Sequence, residues 1–352
     1  MVTARCPVTP PLPKPPPVRS SRIALLLLVA ALILLTGFGA PLTNPVSPLP
    51  TYGDTRLYGD IAAEVAAGSD YYEVSTRLQR AHHYPVRPFY TVRPPLLAWA
   101  TGWYGDLLWP GCLLLGLAAL AWLHNLERRS ITERTVALVC LLAAGLPLVF
   151  SPFRLLHDMW GGLLATLALG LTATRLAVIP AVLAVLVREL NAPLLGLFVL
   201  DRRSRPAALA GLALCLLALA YHRSAVLAWT LPGDPLSQGW LGLRGPAGWV
   251  DDLSQNTVLQ FLPRPIAALL AFAPLLGWVE LERHRALAWC LGVFAMVTVL
   301  ARPDNTYWVL GALPIWFIGL AFVPAFLLSL LKRADSDPGA RPLHSSTDPS
   351  SP

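Results

Sequence analysis

The chain has 352 residues, 55% of them hydrophobic and 13% charged, with a formal net charge of +7 and a mean hydropathy of +0.56. A soluble globular domain carries roughly 25% charged residues, so the deficit argues against a water-soluble enzyme and for lipid as the solvent. The positive charge sits in short arginine clusters between apolar runs, where it sets membrane topology and gives no reason to expect nucleic acid as a partner.

Residues 1 to 21 are proline-rich and basic ("PVTPPLPKPPPVRSSR"). Such a segment cannot bury a core and reads as a disordered cytoplasmic tail. Residues 22 to 332 form the membrane domain, opening with the span "IALLLLVAALILLTGFG" at 23–39. A basic region before an apolar one also fits a cleaved signal peptide; the many later spans favour an uncleaved anchor. Residues 41 to 108 are then unusually polar and aromatic, and end in "PPLLAWATGWYGDLLW", an amphipathic stretch suited to the membrane surface.

Further spans are expected at 109–124, 135–151, 158–174, 206–222, 265–281, 286–301 and 306–331. The apolar stretch from Arg175 to Asp201 is broken by "VRELNAP" and fits two short helices meeting at Arg188 and Glu189. The expected fold is an all-α polytopic transmembrane bundle of about ten spans, with a long first outer loop bearing short helices. Alternate connections hold "HNLERRSITER", "ATR", "DRRSR", "ELERHR" and "LLKR", which places them and both termini in the cytoplasm. The outer side then receives loop one, "SPFRLLHD", "RELN", a loop at 222–264 and "ARPDNTYW". The 222–264 loop carries Trp229, Trp240 and Trp249, readable as an interfacial belt or as a lid. Tyr307 and Trp308 read as belt residues, with Asp304 and Asn305 capping the last span. Residues 333 to 352 form a second polar, disordered cytoplasmic tail. Cys6, Cys112, Cys140, Cys215 and Cys290 lack any CxxC pair and read as small apolar fillers.

Charge inside a membrane is costly, about 2.5–3.5 kcal/mol for a central Arg or Asp on insertion scales. The outer-face set Asp54, Arg56, Asp60, Glu64, Arg87, Arg93, Arg154, His157, Asp158, Arg188, Glu189, Arg302 and Asp304 therefore suggests a wet cavity between helices. Arginines grip phosphate through a fixed fork of donors. A carboxylate can take a proton from an attacking hydroxyl, and a second can hold a divalent cation, Mg or Mn, against a phosphate leaving group. His82 and His83 are neighbours whose side chains diverge on any regular element, which argues against a shared metal.

These residues resemble the C-type glycosyltransferase (GT-C) superfamily, in particular the aminoarabinose and protein O-mannosyl transferases. Those families place an acid shortly after the first span, then an aromatic-bearing helix, a Gly-aromatic step, and a basic residue before Pro-Pro-Leu. Here the series is Asp54 in "YGDTRLYGDIAAE", Tyr58, "IAAEV", "GSDYY" and Arg93 in "VRPPLL". "LLHDMWGGLLATLAL", with Asp158, is similar to the family's second outer loop, and "VRELNAPLL" looks like its short broken helices. Many relatives carry adjacent acids at the first position; this chain has Asp-Thr and offers Asp60 as a rival.

The resemblance implies a multi-pass inner-membrane enzyme that moves a sugar from a polyprenyl-phosphate donor to an envelope glycan, lipid or protein on the outer face, with inversion. Asp54 or Asp60 would be the base. Arg56, Tyr58, Arg93, Asp158, Arg188 and Glu189 would hold substrate or phosphate. No glycine-rich nucleotide loop on a βα unit is found in the sequence, which fits a lipid-linked donor better than a nucleotide sugar. A transporter or lipid flippase, and a non-catalytic scaffold, are the competing readings; a transporter predicts internal repeats and mid-membrane charges.

Overall fold

The structure, a computed structural model, describes residues 19–39 and 52–332. The two expected tails, apart from residues 19–21, lie outside the described residues, as does Cys6. Every helix or strand element assigned among the described residues is helical. Six helices are long and apolar enough to cross a membrane: Ser20–Phe38, Leu108–Asn125, Ile131–Val149, Arg205–Trp229, Arg264–Leu281 and Leu313–Leu331. Their outward faces are greasy: Leu27, Leu35, Leu113, Leu120, Leu214 and Leu217 are all exposed. Water does not tolerate such a surface and lipid does, so this is the exterior of a multi-pass membrane protein. The Ser20–Phe38 and Arg205–Trp229 windows are each 22% buried, against 61% for Arg264–Leu281, which makes the last a central helix and the first two peripheral.

Four expected spans are shorter helices: His157–Gly170, Val178–Val187, Glu189–Val199 and His284–Val299. Val178–Val187 ends where Arg188 turns extended, with φ −148° and ψ 110°. Asn191 braces the break by donating from Nδ2 to Ala184 O at 3.0 Å and Arg188 O at 3.1 Å, in addition to the backbone N–H that each carbonyl accepts. Pro193 then sits in the first turn of Ala192–Val199, where its missing N–H costs nothing.

Polar contacts between connections sort into two ends of the bundle. At one end Arg22 bonds Glu280 at 2.6 Å and Ser329 at 2.5 Å, and Asn125 donates to Gly170 O at 3.0 Å. There too, Arg175 donates to Arg203 O at 3.3 Å and Arg285 lies 3.5 Å from Asp201. At the other end Arg264 donates to Thr36 O at 2.8 Å, Arg154 pairs with Asp106 at 2.7 Å, and Leu243 N–H donates to Val299 O at 3.0 Å. These are the two sets into which the alternating arginine clusters divide the connections.

Loop one is a small helical cap on the second end. Its helices are Asp54–Ala66, Tyr71–Ala81 and Leu96–Tyr104. Asp70 caps the second by accepting from Tyr72 N and Glu73 N, as a short carboxylate at an N-cap does. Leu57, Ile61, Tyr71, Val74, Val86 and Val92 form a separate core beneath them. The cap is tied to the bundle by His222, whose ring nitrogens face the Tyr72 hydroxyl at 3.3 Å and Val92 O at 3.0 Å. Trp103 and Trp109 project outward at 79% and 80% exposure, a lipid-headgroup belt.

Candidate functional site

Asp54 opens the first helix of the cap. One turn later, on the same face, is Tyr58. Burial raises the Tyr58 phenol above its usual value; Arg93 opposes that rise and Asp54 adds to it. Arg93 Nε donates to the Tyr58 hydroxyl at 3.1 Å, and Arg93 Nη1 lies 3.7 Å from Glu189 Oε1. Two prolines follow Arg93, restricting its backbone to extended forms. The Tyr71 hydroxyl donates to Arg93 O at 2.6 Å, and Val92 O is held by His222. The backbone of the arginine is thus pinned on both sides.

Glu189 comes from the broken helix and also receives Arg188 Nη1 at 2.8 Å. Arg188 Nε donates to Asp158 Oδ1 at 3.1 Å. Asp158 lies in the first turn of His157–Gly170, where the helix dipole favours a carboxylate. The glycines of "DMWGG" bring that turn close. A Cβ on Gly161 would stand 2.3 Å from Asn191 Nδ2, and one on Gly162 would stand 2.0 Å from Leu310 O. The helix therefore meets the 306–311 turn at backbone distance and leaves room at Gly161 for the Asn191 side chain of the break. His157 packs edge-on against Tyr58, ring centroids 5.0 Å apart, and neither of its ring nitrogens finds a hydrogen-bond partner among the described residues.

Five sequence candidates thus meet, Tyr58, Arg93, Asp158, Arg188 and Glu189, with Asp54 one turn before Tyr58 on the same helix. Arg188 has 1% side-chain exposure, against 16% for Arg93 and 14% for Glu189. It is sealed between two carboxylates, so it positions Glu189, and Arg93 is the cation open to a ligand. Arg56 and Asp60 lie elsewhere. Both are exposed; Tyr52 donates to Asp60 at 2.5 Å, Arg56 lies 4.0 Å from Asp60, and Arg56 stacks over the Tyr52 ring. Position 60 is two residues from Tyr58, about 200° around a helix of 3.6 residues per turn, so Asp60 cannot share the Tyr58 face. The remaining outer charges are engaged away from this group: Glu64 with Arg77, Arg302 with Asp304 at 3.3 Å, and Arg87 with Asp234 O of the 222–264 loop at 2.9 Å.

Two tyrosines missing from the sequence candidates join the group. Tyr84 follows His82 and His83; burial, and after it the Asp54 carboxylate, pushes its phenol up. Tyr307 lies within electrostatic reach of Asp54, Tyr58, Arg93 and Asp158, and its hydroxyl is 3.5 Å from Asn305 Nδ2. The belt pattern masked Tyr307, and nothing in the sequence distinguished Tyr84 from its aromatic neighbours. Trp308 and Trp249 are core residues rather than belt, at 2% and 0% exposure; Trp249 packs on Trp316 with ring centroids 4.5 Å apart. Asn305 does not cap the following turn with its side chain.

The 222–264 loop is docked on the cap. Arg80 pairs with Asp234, Arg87 bridges Leu236, and Trp240 contacts both Tyr90 and Trp308. His82 stacks on Tyr52 rather than joining His83. Among the described residues no three His, Cys, Asp or Glu side chains gather as a metal site, and the Arg188 guanidinium already bridges the Asp158 and Glu189 carboxylates. The Asp158 and Glu189 carboxylates are thus each held by a cation of the chain itself. The four described cysteines are free thiols.

The arrangement offers a carboxylate at a helix start, a tyrosine hydroxyl one turn on, and a half-buried arginine beside the half-buried Glu189, which Arg188 links to the buried Asp158. That set can accept a proton at Asp54 and hold an anion at Arg93 a short distance away. No known protein family, curated protein or solved structure matches the chain.

Proposed function

We propose that the chain is a membrane glycosyltransferase of the C type, taking a polyprenyl-phosphate sugar as donor. The observation that carries the reading is the meeting of Tyr58, Arg93, Asp158 and Glu189 from the cap, the start of His157–Gly170 and the helix break, with Asp54 one turn before Tyr58. Asp54 removes the proton from the acceptor hydroxyl. The oxygen attacks the anomeric carbon from the face opposite the phosphate, forming a new glycosidic bond with inversion. The bond from that carbon to the phosphate oxygen breaks, and polyprenyl phosphate leaves as an anion against Arg93. Glu189, held by Arg188, fixes the angle of Arg93. Tyr58, bonded to Arg93, helps keep water from the reacting carbon.

The topology in this reading has about ten passes, with the arginine-rich end and both termini in the cytoplasm and the cap outside the inner membrane. The sorting of contacts into two ends supports it. The acceptor is an envelope glycan, lipid or protein.

The test is to incubate the purified chain in lipid with a panel of polyprenyl-phosphate sugars and follow release of polyprenyl phosphate together with labelled product. Wild type should turn over at least one donor, and Asp54→Asn should not. Lipid movement between leaflets with no donor turnover would instead identify a flippase.

A further inference from the structure

The end of the bundle opposite the cap contains a hollow of about 510 Å³, walled by the turn after Leu108–Asn125, by Thr172 beyond His157–Gly170, and by the turn at 281–283. Arg128, Arg129 and Arg283 line it. Membrane topology alone accounts for arginines at this end. It does not account for the convergence of three of them on one space where, among the described residues, the lining holds a single carboxylate, Glu127.

Two of the guanidiniums are fixed by neutral acceptors on the opposite wall. Arg129 Nη2 donates to Glu280 O at 3.3 Å, with its guanidinium over the Phe322 ring. Arg283 Nη2 donates to Asn125 O at 3.0 Å. Two nearby carboxylates are engaged elsewhere: Glu280 holds Arg22 at 2.6 Å and Asp201 holds Arg285. Glu127 is itself on the wall, facing the His124 ring at 3.5 Å, so three arginines stand against one carboxylate. Among the described residues none of Arg128, Arg129 and Arg283 forms an ion pair. Burial, and then repulsion from Arg129 and Arg285, lowers the proton affinity of Arg283. Such a group of cations is stabilised by an anion placed among them.

We propose that this hollow binds a net-anionic phosphate group, gripped by the free donors of Arg129 and Arg283, with Arg128 at the rim. The guanidinium fork matches phosphate oxygens in pairs. The phosphate of an anionic lipid headgroup and a free phosphate or diphosphate share this chemistry. The site is remote from Asp54 and does not rest on the transferase reading.

The full chain is tested in two arms. In one, it is reconstituted in phosphatidylcholine nanodiscs containing phosphatidylglycerol, released, and weighed by native mass spectrometry for retained lipid. In the other, inorganic phosphate and diphosphate are titrated at constant ionic strength against the melting temperature. Wild type should retain phosphatidylglycerol in preference to phosphatidylcholine, or be stabilised by the free anions; the first result assigns a lipid source and the second a soluble one. Arg129→Gln and Arg283→Gln should each weaken that response about tenfold or more, the loss expected for a charge-assisted contact. Arg202→Gln removes an exposed charge at the same end, outside the hollow, and should stay within about twofold of wild type. Arg283 is a surface side chain, so its variant keeps the test open if Arg129→Gln fails to fold. Neither ligand binding in either arm, or equal losses in Arg283→Gln and Arg202→Gln, overturns the site.

Discussion

Arg93 Nε donates to the Tyr58 hydroxyl at 3.1 Å while its Nη1 lies 3.7 Å from Glu189. One guanidinium thus joins the cap to the broken helix using two nitrogens set at a fixed angle. Lysine has one point of charge and cannot keep both contacts. Arg93→Lys should lower transfer from the lipid-linked donor by about tenfold or more, as expected for losing a charge-assisted bond. Initial rates across donor concentrations check this, and a Lys variant with wild-type rates would remove Arg93 from the anion site.

Asp54 and Asp60 lie in one helix but in different surroundings. After burial, Asp54 adds to the raised proton affinity of the Tyr84 and Tyr58 phenols; Asp60 is exposed and bonded by Tyr52. Replacing a general base costs about 10²–10⁴-fold in rate. Asp54→Asn should fall in that range with an unchanged melting temperature, while Asp60→Asn should remain within about threefold, the effect of a surface contact. Product formation measured on both variants decides between them, and the reverse ranking would move the base to Asp60.

The apolar runs and the alternating arginine clusters made the bundle and its two ends readable, because lipid permits few alternatives to a greasy helix. Order along loop one likewise singled out Asp54, Tyr58 and Arg93. What stayed hidden depends on long-range packing. That Arg188 would be sealed between Asp158 and Glu189 follows from Gly161 admitting the Asn191 amide, which no local pattern encodes. The same reasoning covers Trp249 and Trp308. Both carry the composition of interfacial residues, and only the docking of the 222–264 loop against the 306–311 turn decides that they are buried.

Arg188 and Asp158 have side-chain exposures of 1% and 6%. Removing one member of a buried pair leaves the other uncompensated, at about 3–5 kcal/mol. Asp158→Leu and Arg188→Leu should each lower the melting temperature sharply in detergent. Combining them should recover part of that loss, since apolar replacement of a whole pair is often neutral, but transfer should stay low because Glu189 loses its support. A double variant that loses as much as the two single variants added together would show that the two side chains are not energetically coupled.

Asp252 lies in the Gly245–Gln255 helix with its carboxylate 2.8 Å from Arg244. Burial outweighs that partner and raises its proton affinity to about 7. The folded chain therefore binds more protons at this site than the unfolded chain between about pH 4 and pH 7. Stability from this group is highest at the acid end and declines as pH rises through that window, by an amount on the order of 4 kcal/mol. Asp234 acts in the opposite direction in a lower range. The Arg80 bond holds its proton affinity below the ordinary carboxylate value, so its contribution is lost as pH falls through the acid range. Melting temperatures from pH 5 to 8 should decline in wild type and be flatter in Asp252→Asn; parallel curves would place the titrating group elsewhere.

Gly277 and Gly319 set the closest backbone approach near the arginine-rich end. A Cβ on Gly277 would stand 1.7 Å from Gly319 O, and one on Gly319 would stand 2.3 Å from Pro274 O. Small residues let membrane helices meet in this way, and here the contact also lines up Trp278 Nε1 to donate to Trp316 O at 3.0 Å. Since the obstacle is backbone, it cannot rotate aside. Gly277→Ala should cost about 1–3 kcal/mol or more from overpacking. At Gly292, by contrast, an alanine methyl would meet no heavy atom within 4 Å, and the residue sits within the His284–Val299 helix. Gly292→Ala should leave stability unchanged or raise it slightly, because alanine is the better helix former. Thermal melts of the two variants side by side measure the contrast, and equal stabilities would mean the helices near Gly277 have room to separate.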